Sequence, residues 1–93
     1  MYDRSLKKVR ELVRTHQYVM TTHADEEMYD DALTIRDVES AIVTGQIIAR
    51  QKNEQVGVWK YLVRGRSLDS RAVVVVAKVS LSGRLVIITV YVE

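Results

Sequence analysis

Two sets of side chains in this sequence could carry chemistry: a histidine among carboxylates, and a series of cations and tyrosines in the second half. His23 lies in Thr22-His23-Ala24-Asp25, where a hydroxyl followed three residues later by a carboxylate marks a helix start. An imidazole there, beside Asp25, Glu26 and Glu27, is a candidate general acid or base. The same placement also suits a histidine that only hydrogen-bonds to a neighbouring strand. The cations are Lys60, Arg64, Arg66, Arg71, Lys78 and Arg84. Lys60 and Arg64 share one face if residues 58–64 are a strand, and Arg66 and Arg71 flank the loop that follows. Such a cluster could hold a phosphodiester and stabilise charge developing at phosphorus. A solvated sheet surface would carry similar residues. Tyr61 and Tyr91 could stack on a base or donate to a phosphate, or simply cover a sheet edge.

Composition removes several classes of function. The chain has 93 residues and no cysteine, so it has neither a disulfide framework nor a thiolate metal site. Its two histidines, His16 and His23, do not supply a zinc set. The acidic run from Asp25 to Asp31 lacks the spacing and glycine of a calcium loop. No glycine-rich phosphate loop or serine elbow is present, so no cofactor and no metal is expected. No apolar run reaches the ~20 residues of a membrane span. The charged start, Met1-Tyr2-Asp3-Arg4, does not resemble a secretory signal, and a cytoplasmic location is expected. The net charge of +2 hides an uneven distribution. Residues 1–22 carry five basic and two acidic groups, residues 23–45 one and seven, and residues 46–93 eight and three. The basic second half can attract a polyanion such as RNA.

The elements that must position these residues follow from periodicity. Residues 4–14 read as an amphipathic helix, capped by Asp3, with Leu6, Val9, Leu12 and Val13 on its apolar side. Residues 18–21 are a short extended piece, expected to be an edge strand or a connector. A second helix should run over residues 23–29, with Ala24 and Met28 inward, and break at Asp30-Asp31-Ala32. Thr34 and Asp37 form another capping box, opening a helix with Ile35, Val38, Ala41 and Ile42 as its buried stripe. Gly45 sits where a left-handed residue would end it. From there the period shortens towards two. Strands are expected at residues 47–52, residues 58–64, Ala72–Val79 and Leu85–Val92, with a turn at residues 53–57, a loop at 65–70 and a hairpin at 80–83. The expectation is one α+β domain over residues 1–93, with two to three helices on a three- to four-stranded antiparallel sheet.

Several short runs, in order, resemble a known family. They are Thr22-His23-Ala24 with Met28; residues 38–42 with Gly45 and Ile47-Ile48; Leu62-Val63-Arg64-Gly65; Arg71; residues 73–77; and Ile88-Thr89-Val90-Tyr91. Together they are similar to a small bacterial and archaeal family labelled a domain of unknown function, allied to RelE-like toxins of the BrnT and MqsR types. That resemblance implies a RelE-like fold, endoribonuclease activity as a toxin (an mRNA interferase), and an antitoxin protein as partner. It implies His23, Arg71 and Tyr91 as the catalytic set, with Gly65 in the loop before Arg71. Lys60, Arg64 and Arg66 then become the RNA-binding residues. This chain departs from the pattern twice: Glu27 replaces the usual arginine four residues after the histidine, and Val74 replaces a frequent histidine three residues after the matched arginine.

Two further readings stand beside the nuclease. Glu27 and Val74 favour a non-catalytic protein-binding module or a degenerate toxin relative. An unprotected sheet edge would favour a homo-oligomer.

Overall fold

The computed structural model describes residues 2–53 and 58–93. The elements are α1 (Asp3–Arg14), β1 (Tyr18–Met20), α2 (Thr22–Asp30), α3 (Ile35–Thr44), β2 (Gln46–Asn53), β3 (Val58–Arg66), β4 (Ala72–Val79) and β5 (Leu85–Val92). The expected turn at residues 53–57 falls largely outside the described residues. The sheet order is β1-β5-β4-β3-β2. The meander from β2 to β5 is antiparallel, as expected, but β1 adds a fifth, parallel strand beside β5. Three residues of β1 suffice because Gln17 and Thr21 extend the pairing at both ends: Leu85 N–H donates to Gln17 O and Thr21 N–H to Ile87 O, each at 3.0 Å.

The helices all pack on one face of the sheet. Val9, Leu12 and Val13 of α1, Ala24 of α2, and Val38, Ala41 and Ile42 of α3 meet Val73, Val75, Ala77, Leu85, Ile87 and Val90 in one core. A second, smaller cluster joins Leu6 to Ile47 and Val63 under the start of α1. The Cα radius of gyration is 12.1 Å, against about 12 Å for one compact domain of this length. No helix among the described residues is long and apolar enough to cross a membrane.

Local chemistry sets most boundaries. Thr34 and Asp37 make the expected capping box on α3. Thr21, one residue earlier than expected, caps α2 by accepting from Ala24 N–H at 3.1 Å. Tyr2 occupies the N-cap position of α1, and Asp3 is instead in its first turn, where a carboxylate complements the helix dipole. Gly45 is extended, not left-handed (φ −88°). Its lack of a side chain is needed for packing: a Cβ there would lie 2.7 Å from Arg64 O. Gly65 belongs to β3, not to a loop, and a Cβ on it would run into the Ala41 carbonyl of α3. Ile35, placed on the buried stripe from sequence, is 37% exposed; Asp37 takes its place inside.

Candidate nucleic-acid interface

The sheet face opposite the helices is where the cations gather. Pairing register and strand alternation put three rows of residues across it. One row is Gln51, Lys60, Lys78, Val86 and Val19; the next is Ala49, Leu62, Val76 and Thr89; the third is Gln46, Arg64, Val74 and Tyr91. No described helix packs on this face. Lys60 and Lys78 are direct cross-strand partners. Like charges so placed are destabilising, and among the described residues no carboxylate pairs with either. Lys60 and Arg64 share this face, as the alternation predicts, about 13 Å apart along β3.

At the other end of the face, Arg64 is bidentate to Glu93: Nη2 donates to Oε2 at 3.0 Å, and Nε donates to Oε1. Arg66 follows, its Nη1 donating to Ser70 O at 3.2 Å. Arg64, Arg66, Thr44, Gly65 and Ala72 line a hollow of about 470 Å³. Two guanidiniums beside such a hollow suit a phosphate. Tyr91 is 38% exposed and presents an aromatic side chain on the same face.

His23 is elsewhere. Its side chain is 67% exposed at the start of α2, and Nε2 lies 3.1 Å from Glu27 Oε1 one turn later. Glu27 Oε1 also accepts from Val90 N–H at 3.2 Å. Thus Glu27 orients the imidazole and ties α2 to β5.

Arg71 is committed to structure. Its Nη1 donates to Asp31 O at 2.8 Å, Nη2 to Ala32 O at 3.0 Å and Nε to Asp69 Oδ1 at 3.0 Å. Asp37 Oδ2 stands 3.8 Å from Nη2. The guanidinium thereby pins the loop after β3 to the C-terminal end of α2. Eight residues separate His23 from Asp31, about 12 Å of helix axis. His23 and Arg71 therefore sit at opposite ends of α2 and are not brought together. Of the expected site, Lys60, Arg64, Arg66 and Tyr91 share a region.

Two polar clusters were not anticipated as such. Asp37, 6% exposed, accepts from Thr34 N–H at 2.9 Å, Thr34 Oγ1 at 3.0 Å and Leu68 N–H at 3.0 Å. Its carboxyl is held below the usual range, first by the Thr34 backbone donor and then by the Leu68 one, against its partial desolvation. Tyr18 Oη donates to Glu39 Oε2 at 2.6 Å, with His16 Nδ1 3.6 Å from the same oxygen. Burial first, and then Glu39, push the Tyr18 phenol up to about 12. Neighbours 21 residues apart in sequence left no spacing signal for this cluster.

Residues 20–92 match a family described as a domain of unknown function, DUF4258. The chain belongs to the DUF4258 family. No curated protein and no solved structure matches it. The matched segment of this DUF4258 chain holds every candidate residue above, from His23 to Tyr91, while α1 precedes it. Among the described residues, no group of histidines and acids could hold a metal ion.

Proposed function

We propose that this DUF4258 chain is a toxin-type protein that acts on cytoplasmic RNA, holding it on the open face of its sheet. The observation that carries the reading is the Lys60–Lys78 juxtaposition at one end of that face, with no carboxylate partner among the described residues, and the Arg64–Arg66 hollow at the other. Keeping two ammonium groups opposed costs stability, and an anion lying between them removes that cost. Leu62, Val76 and Thr89 between the cationic ends, and Tyr91 beside them, give bases an apolar and aromatic floor. The RelE-like resemblance adds the expectation of an antitoxin partner that masks the protein.

Binding without rapid cleavage is the form of this activity that the geometry favours. The position where the resemblance supplies a second histidine is Val74, between Arg64 and Tyr91 in register and 1% exposed. No histidine or carboxylate stands in that row. Arg71, expected to hold the phosphate, is bound to carbonyls instead. The endoribonuclease reading rests on a different observation, the exposed His23 held by Glu27 at 3.1 Å, an oriented imidazole of the kind that moves protons.

One set of assays tests both readings. A labelled single-stranded RNA should bind the protein, and Lys60→Gln with Lys78→Gln should weaken binding about tenfold. Unchanged affinity in that double variant would remove the sheet face as the RNA site. RNA cleavage that survives purification and disappears in His23→Ala, with binding retained, would establish the nuclease reading over occupancy alone.

A further inference from the structure

The two edges of the sheet are finished in different ways. On one side, β1 covers the start of β5 and α2 covers the rest. Thr21 Oγ1 donates to Ile88 O at 3.1 Å, and the carboxylates of Glu27 and Asp31 accept from Val90 and Val92 N–H, each at 3.2 Å. One free strand acceptor and two free strand donors are thus capped in sequence, and covering an edge is one of the ways proteins blunt it. On the other side, β2 is the outermost strand. Arg10 Nη2 donates to Gly45 O at 2.7 Å, immediately before β2. From Gln46 to Lys52, no hydrogen bond from the described residues reaches the outer edge.

We propose that this edge receives an extended acidic segment of a second protein, which pairs with β2 and lays carboxylates against α1. Backbone pairing would supply affinity and the alternating side chains specificity, as in other strand additions. The charge on both sides of the edge selects an acidic occupant. Residues 46–53 include Arg50 and Lys52 and no acid. A groove of about 330 Å³ runs between α1 and the start of β2, lined by Asp3, Leu6, Lys7, Arg10, Arg14 and Gln46. Three cations in it face one carboxylate, and Arg10 Nε is buried with no hydrogen-bond partner among the described residues. Ile48, 49% exposed on the strand itself, offers an apolar contact.

A second copy of this chain fits less well. Self-pairing would bring Arg50 and Lys52 alongside their own duplicates, and cations on an edge strand are a common guard against self-association. Arg50 is also fixed in place, its guanidinium 4.1 Å from the Trp59 ring centroid and 5.3 Å from that of Tyr2. RNA lacks the alternating donors and acceptors that a strand edge presents. The inference does not depend on the RNA reading of the open face, whose cations are Lys60, Lys78, Arg64 and Arg66.

The test uses the whole protein and an eight-residue fluorescent peptide of alternating Glu and Val. Companion peptides carry Lys in place of Glu, or N-methyl groups at every second residue in one phase or the other. The Glu peptide should bind, the Lys peptide should not, and only one N-methylation phase should abolish binding. Lys7→Glu with Arg14→Glu, both on the exposed side of α1, should weaken binding about tenfold. Amide exchange of residues 46–52 should slow when the Glu peptide saturates. Equal binding of both N-methylated phases, or unaltered exchange at saturation, would overturn the proposal. So would protection of the β2 amides by oligouridylate, or by the protein's own dimerisation as seen in sedimentation.

Discussion

The Asp37 carboxylate closes the α3 capping box through Thr34, accepts from Leu68 across the loop and stands beside Arg71. Arg71 in turn holds two carbonyls at the end of α2. Losing Asp37 leaves several donors unsatisfied in a poorly solvated place. Asp37→Asn should therefore cost about 2 kcal/mol in urea denaturation at neutral pH. The pH dependence has a definite sign. A carboxyl whose folded pKa is lowered contributes stability that is present in full above the unfolded value, about 4, and is lost as pH falls through the folded one. The wild-type protein should lose stability below about pH 4 faster than Asp37→Asn, narrowing the gap between them; a gap constant down to pH 2 would assign the effect to something other than this carboxylate. Half of this hub was legible in sequence. The Thr34–Asp37 spacing announced the cap, but nothing local could reveal that Arg71 would turn towards carbonyls 39 and 40 residues away and so be unavailable to a phosphate.

At the scale of elements, glycine and its absence locate the tightest packing. α3 lies so close to β3 that Gly65 has no room for a Cβ against the Ala41 carbonyl, and backbone cannot move aside as a side chain can. The opposite case is Ala32, at φ 53° just after α2. There Leu33 N–H returns to Met28 O at 2.8 Å and Ala32 N–H to Tyr29 O at 3.1 Å, the bond pair of a Schellman ending whose left-handed residue is usually glycine. Gly65→Ala should destabilise by about 3 kcal/mol, whereas Ala32→Gly should stabilise by about 0.5 kcal/mol, both read as shifts in the urea midpoint. A neutral Gly65→Ala would mean that α3 does not sit as described. Periodicity made the helices and four of the strands readable because each has its own apolar repeat. It could not show that residues 18–20 join the sheet in parallel, since that pairing depends on Leu85–Ile87 far along the chain. Nor could it separate a glycine required by close approach from one required by left-handed backbone.

Across the whole molecule, the acidic stretch forms α2 and α3 on one side of the sheet, and the excess cations of residues 46–93 are distributed over the strands and their connecting loops. That segregation was visible in the charge count alone. What needed the structure was the register that sets Lys60 against Lys78 and leaves Arg64 paired with Glu93. The proposed RNA face then has a definite ionic signature. If Lys60, Lys78, Arg64 and Arg66 each meet a phosphate of a single strand, log affinity should fall with log salt at a slope of about −3. Between 50 and 200 mM salt that is roughly a fifty-fold loss. Lys60→Gln with Lys78→Gln should reduce the slope to about −1.4 and the loss to roughly sevenfold. Glu93→Gln should act in the opposite direction, because Arg64 would no longer exchange a carboxylate for the phosphate and affinity should rise at every salt concentration. An exposed pair of this kind contributes only about 0–1 kcal/mol, so a gain of a few-fold is expected. A slope near zero, or one that the lysine substitutions leave unchanged, would show that RNA does not lie across these strands.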